Sequence, residues 1–134
     1  MARNLLSTVG QSPVDNLTRD NLIFQNRIEV TLPAGTWSRG MALVLGADGS
    51  SATRPVAATT VIDAILLEDI GEVDTGESAK AAASLTGQFN QNSVDFGAIP
   101  DANLATVIAT TRATRQLDIA PMHQAPYIQF GGDN

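Results

Sequence analysis

Residues 79–97, AKAAASLTGQFNQNSVDFG, decide how this chain is read. A run of small residues from Ala79 to Leu85 has strand character, passes into Gly87-Gln88-Phe89-Asn90 and closes on Phe96-Gly97. Small side chains let a neighbouring sheet or subunit come close, while Phe89 and Phe96 supply the large apolar surface that a domain core or a subunit interface needs. The stretch reads as folded platform, without groups spaced for acid–base or nucleophilic chemistry.

Upstream, Ile28-Glu29-Val30-Thr31-Leu32 alternates apolar and polar residues, the period of a half-buried strand, and Pro33-Ala34-Gly35 ends it. Residues 41–45 form a continuous apolar run, followed by Gly46-Ala47-Asp48-Gly49. The Asp-Gly step signals a hairpin whose return strand is expected at 53–57. The run VIDAILL at 61–67 is short and rich in β-branched residues, which favours strand over helix. Residues 68–78 gather Glu68, Asp69, Glu72, Asp74 and Glu77 around two glycines, the composition of a solvated loop.

Downstream, Leu104, Val107 and Ile108 share a helical face, so one short helix is expected over 101–111 with Asp101 as N-cap. Residues 117–120 read as a last strand before Pro121. The fold class is thus mainly β with one short α-helix, in a domain spanning 28–120. Residues 1–27 are polar and broken by Pro13, with scattered apolar residues before a short cluster at Leu22, Ile23 and Phe24, which reads as an extended N-terminal arm. Leu5, Leu6, Val9, Val14 and Leu17 are the arm's candidate attachment residues. The tail, 121–134, holds Tyr127, Ile128 and Phe130 between proline and glycine, and such residues tend to dock.

The 134-residue chain carries a net charge of −6, with 43% hydrophobic and only 16% charged residues, a light charge for a free monomer. Some of its surface is therefore expected to face protein. There is no cysteine, which removes disulfides and Cys-ligated zinc. Arginines stand singly at 3, 19, 27, 39, 54, 112 and 115, so no basic patch forms and nucleic acid is not an expected partner. Arginine in preference to lysine suits oriented contacts at interfaces. No apolar run approaches the ~18 residues of a membrane helix, so no membrane partner is expected.

His123, the one histidine, sits in the tail with no Ser or Asp pattern around it. The acidic loop lacks the ligand spacing of an EF-hand, and the glycines at 35, 40, 46 and 49 form no phosphate-binding fingerprint. No catalytic, metal or cofactor site is expected. Trp37, the sole tryptophan, stands on an expected turn between strands, where an interface anchor and a core lid are equal alternatives.

From about Ile28 to Ala120 the chain resembles the head decoration, or capsid cement, proteins of tailed bacteriophages, of the lambda type. The resemblance is carried by the Gly-bounded strand with its Asp-Gly turn, by Ala64-Ile65-Leu66-Leu67-Glu68-Asp69 before the acidic loop, and by Leu85-Thr86-Gly87-Gln88-Phe89-Asn90 with Phe96-Gly97 and a short helix. The first 27 residues and the tail lie outside it. The resemblance implies a β-tulip-like domain that assembles as a homotrimer on the outer surface of the virion capsid. There it would bind the major capsid protein at threefold or quasi-threefold positions, after assembly in the host cytoplasm. A tail-tube or connector protein is the alternative within virion structure; a small hydrolase using the acidic loop and His123 is the alternative outside it.

Overall fold

The computed structural model describes residues 17, 18 and 25–121. Nine strands and one helix follow in the order β1 (Arg27–Leu32), β2 (Gly35–Trp37), β3 (Ala42–Leu45), β4 (Ala52–Thr53), β5 (Ala64–Leu66), β6 (Gly71–Val73), β7 (Ala79–Ser84), β8 (Gly87–Asn90), α1 (Asp101–Arg115) and β9 (Leu117–Ala120). The protein is mainly β with one helix, as the sequence leads one to expect.

Five strands form an antiparallel sheet in the order β1-β7-β5-β3-β4. The sheet curls into a half-barrel until its edges touch, where Thr31 bridges Ser51 and donates its N–H to the Ser50 carbonyl at 2.8 Å. Side chains inside the curl come from every strand of it: Val30, Leu32, Leu43, Ala52, Ala64, Leu66, Ala81 and Ala83. Their pairing follows one rule. Directly opposed residues are Ile28 with Ala83, Val30 with Ala81, Leu32 with Ala79, Leu43 with Ala64, Leu45 with Ala52, and Leu66 with Ala83. Every inward pair sets a large apolar side chain against an alanine, which is how a narrow curl is filled without overlap.

Strand β5 is buried on both faces, which accounts for its unbroken apolar sequence. On the outer side Ile65 joins a second core with Leu17, Phe89, Phe96, Val107, Ile108, Leu117 and Ile119. Helix α1 closes this core. Val107, Ile108 and Thr111 are its buried residues, and the Thr111 Oγ1 accepts from the Ile62 N–H at 2.9 Å. The apolar face thus continues through a threonine, so the helix runs to Arg115 instead of ending at 111. It stops at Gln116, in the left-handed conformation at φ 58. Its N-cap is Pro100 and not Asp101, which lies in the first turn and favours the helix dipole from there.

Two further expectations are corrected. The return strand of the Asp-Gly hairpin is Ala52–Thr53, not 53–57, because Arg54 turns away to bond the Ala42 carbonyl and Asp95. The acidic segment 68–78 is not loop throughout: Gly71–Val73 pairs antiparallel with Gly35–Trp37. Trp37 accordingly ends a strand. The turn of the hairpin is held by Asp48, whose carboxylate accepts from the N–H of Ser50 and Ser51 at 2.9 Å each and from the Ser51 hydroxyl at 2.6 Å.

Two outcomes test this description. Ala83→Leu adds bulk opposite both Ile28 and Leu66 and is expected to destabilise the domain by about 1–3 kcal/mol in urea unfolding, whereas Lys80→Leu, on an exposed site, stays within about 0.5 kcal/mol. The Ser51 and Ser50 hydrogen bonds hold the Asp48 carboxyl at about 2, below its ordinary 3.8. A depressed carboxylate stabilises the fold above its unfolded value and loses that contribution as pH falls through the folded one. The stability difference between wild type and Asp48→Ala, read from thermal melts, should therefore be constant above about pH 5 and shrink as pH falls towards 2.

Candidate attachment site

All four residues of β8 are buried, and Phe89 is fully so. β9 pairs with the strand in parallel, Gly87 with Leu117 through Asn90 with Ala120, and an isolated bridge joins Thr18 to Phe89 from the opposite side. Gly87 has φ 134, and a Cβ there would stand 3.1 Å from the Phe89 ring and 3.2 Å from Gln25, so the close approach needs glycine. Asn90 ends the strand. Its N–H donates to the Leu17 carbonyl at 2.6 Å, its Oδ1 accepts from the Asn92 N–H at 3.2 Å, and its Nδ2 donates to Ser93 Oγ at 3.3 Å. The turn Gln91–Ser93 is thereby tied to the strand before it.

Leu17 was grouped with the arm's attachment residues, but the structure puts it in the domain core, 2% exposed and packed with Phe89 and Phe96. Its surroundings explain why. The strand edge of β8 offers an acceptor-seeking N–H at Asn90, and the adjacent core offers an apolar slot for the side chain. The folded unit therefore begins before residue 28. Leu5, Leu6, Val9 and Val14 lie outside the described residues, as do the tail from 122 and His123. The register does fix where these segments join. Leu17 and Ala120 flank Asn90 on opposite sides, so residues 1–16 and 122–134 both connect to the domain at the Asn90 end of β8.

Phe96 is 9% exposed, in the same core as Phe89. Beside it Asp95 crosses the end of the sheet, with its N–H donating to the Gly40 carbonyl at 3.0 Å and its carbonyl accepting from the Ala42 N–H at 2.9 Å. The Arg54 Nη2 pairs with Asp95 Oδ1 at 2.7 Å. Gly40 has φ 97 and leaves no room there, since a Cβ would lie 2.6 Å from the Ser93 carbonyl oxygen. Trp37 is 3% exposed and its indole N–H donates to the Pro33 carbonyl at 2.9 Å. It belongs to the core inside the curl, so of the two readings the core lid matches its surroundings.

The opposite end of the curl is an open cleft of about 590 Å³, with Leu45, Leu85, Asn26 and Thr86 on its walls. The Asp63–Arg115 pair lies there too, 3.0 Å between Oδ1 and Nε, while Asp63 Oδ2 accepts from the Leu45 N–H at 2.9 Å. This carboxylate fastens the helix end to the sheet. Arginine contacts expected at an interface are in part internal: Arg39 Nη1 donates to the Leu67 carbonyl at 2.7 Å, and Arg112 pairs with Asp118 at 3.1 Å.

The acidic segment is used one residue at a time. Glu68 Oε2 accepts from the Ala82 N–H at 2.8 Å and Asp69 Oδ1 from the Arg39 N–H at 2.9 Å. Among the described residues, no three His, Cys, Asp or Glu side chains are grouped as a metal would require, and no helix is long and apolar enough to cross a membrane. Sequence reasoning missed the root at Leu17 and the β8–β9 pairing. The only local signal was the apolar Leu17 in an otherwise polar stretch. Compared with protein-family models, with curated proteins and with solved structures, the chain matches none.

Burial at the root gives a direct test. Leu17→Ala is expected to cost about 2–5 kcal/mol of domain stability in chemical unfolding, as a core truncation does, whereas Val56→Ala, at an exposed position, stays within about 0.5 kcal/mol.

Proposed function

We propose that this chain is a structural protein of a phage particle, a decoration protein that binds the outer surface of the head and stabilises the expanded shell. In this reading it is a β-tulip-like homotrimer standing at threefold or quasi-threefold positions, with the major capsid protein as its partner. It works by contact and performs no reaction.

The observation that supports this most is the seat of the N-terminal segment. A polar segment that attaches to a neighbour must transmit load to the body of its own domain, and Leu17 supplies such a joint: a buried side chain and a 2.6 Å backbone hydrogen bond to β8. The chain leaves the domain at the same end, since Ala120 pairs with Asn90. The body between them has apolar cores on both sides of the sheet, one inside the curl and one under the helix. A body whose chain enters at Leu17 and leaves after Ala120, both beside Asn90, suits a clamp that spans several subunits. Ordering such a segment at binding costs entropy, and three linked arms offset that cost because the second and third bind at high effective concentration.

The test is co-sedimentation with expanded and unexpanded heads, together with native mass spectrometry of the free protein. Full-length protein is expected to be trimeric and to pellet with expanded heads only. Removal of residues 1–16 should lower the bound fraction at least tenfold without moving the unfolding midpoint. Full-length protein that fails to bind expanded heads, or a truncated one that binds equally well, would overturn the reading.

A further inference from the structure

The half-barrel closes at one position on its edge strand and stays open beside it. The Leu85 N–H donates to the Asn26 carbonyl at 2.9 Å, and in the β1–β7 register this makes Ile28 and Val30 the residues whose backbone groups face β7. Arg27, Glu29 and Thr31 therefore turn theirs outward. Thr31 confirms the phase, since its N–H is the one that reaches Ser50 across the closing seam. Among the described residues nothing takes up the outward backbone groups of Arg27 and Glu29. Both side chains are exposed, and Ile28 between them is half-buried on the inner face.

We propose that this edge pairs with the same edge of a second copy, antiparallel, about a twofold axis through Ile28. Outward-facing residues must oppose each other for the ladder to form, and the axis at Ile28 sets Arg27 against Glu29 of the second copy, twice over. Each of these positions is a hydrogen-bonded pair. On the outer face, each guanidinium then stands directly across from a carboxylate, the favourable cross-strand arrangement. On the inner face, Ile28 meets its own copy in the close, non-hydrogen-bonded position and loses its remaining exposure. The ladder ends where Thr31 is already bonded to Ser50.

Charged residues on an edge strand ordinarily deter pairing. Here the two charges are opposite and alternate along one face, so the deterrent changes sign for a single partner. A parallel copy in register would set Arg27 on Arg27 and Glu29 on Glu29, and an antiparallel copy centred on either residue would oppose it to itself. The pattern selects one register of one strand. The contact is twofold, so it is separate from any threefold contact and stands or falls independently of the proposed function. Its short overlap makes it weak between free copies and effective between copies already held side by side.

The absence of cysteine makes the register testable. Across a non-hydrogen-bonded pair the Cα atoms lie about 4.5 Å apart, within the range that a disulfide spans. Under mild oxidation at high protein concentration, Ile28→Cys is expected to form a covalent dimer at least tenfold faster than Thr53→Cys, whose side is exposed on β4. Adding Arg27→Glu should slow the cross-link by about tenfold, and adding Glu29→Arg to that variant should restore it. With Ile28 intact, sedimentation equilibrium should show twofold association for the wild type and the double charge swap, and not for Arg27→Glu alone. The readout is the same whether the pairing unit is a single chain or a trimer. Cross-linking of Ile28→Cys no faster than the control, or association indifferent to Arg27→Glu, would overturn the proposal.

Discussion

The constraint on which the rest of this structure depends is the volume inside the curled sheet. Five strands bent until their edges touch enclose a space too narrow for two large side chains face to face. Within the five strands the chain meets this by opposing alanine to each large inward residue, from Ala83 against Ile28 to Ala52 against Leu45. Alanine is a poor strand former taken alone, and β7 would be an odd strand without this role. In the curl its size decides. A bulkier β7 would push β1 outward and separate Thr31 from Ser50, and with that bond the closure would be lost.

Trp37 apart, the bulkiest buried side chains stand on the outer side of the curl. Phe89, Phe96, Ile62 and Ile65 form a core to which β8 and β9 contribute Phe89, Leu117 and Ile119, and which the apolar face of α1 closes. Parallel pairing of β8 with β9 requires a crossover, and the chain supplies it with the turn, the Asp95 crossing and the helix. The single residue that joins these parts is Asn90. It receives the N-terminal segment on one side, pairs with β9 on the other, and caps the turn that begins the crossover.

Much of this was legible because local chemistry and final environment agree. Alternation in 28–32, the Asp-Gly step at 48–49 and the helical spacing of Leu104, Val107 and Ile108 each report a half-buried element, and each element exists. Where the reading failed, a distant partner had overridden local composition. Gly71–Val73 looks like loop because its residues are acidic and small, and it becomes strand through Gly35–Trp37. Helix α1 outlasts its apolar periodicity because Thr111 serves as an acceptor for Ile62, a bond between residues far apart in sequence. The burial of Leu17 could not be read from a polar neighbourhood, since the slot it fills is built from residues at the other end of the chain. The pairing of Asp63 with Arg115 and Arg54 with Asp95 was hidden for the same reason. Singly placed arginines carry no local sign of whether their partner is internal or foreign.

The location of the joint also bears on how such a domain could carry load. On the proposed role, tension arriving at Leu17 would be borne by a backbone bond to β8 and by a side chain that cannot leave without opening a cavity beside Phe89. Strand β8 in turn is held by β9 along its full length, so the load spreads to α1 instead of peeling the edge of the curl. An arm rooted on β1 would pull on an edge strand whose outer side is held at a single position. Rooting it on β8 separates the segment that is pulled from the seam that would open, and on the proposed role that separation lets the domain hold its partner without unwinding itself.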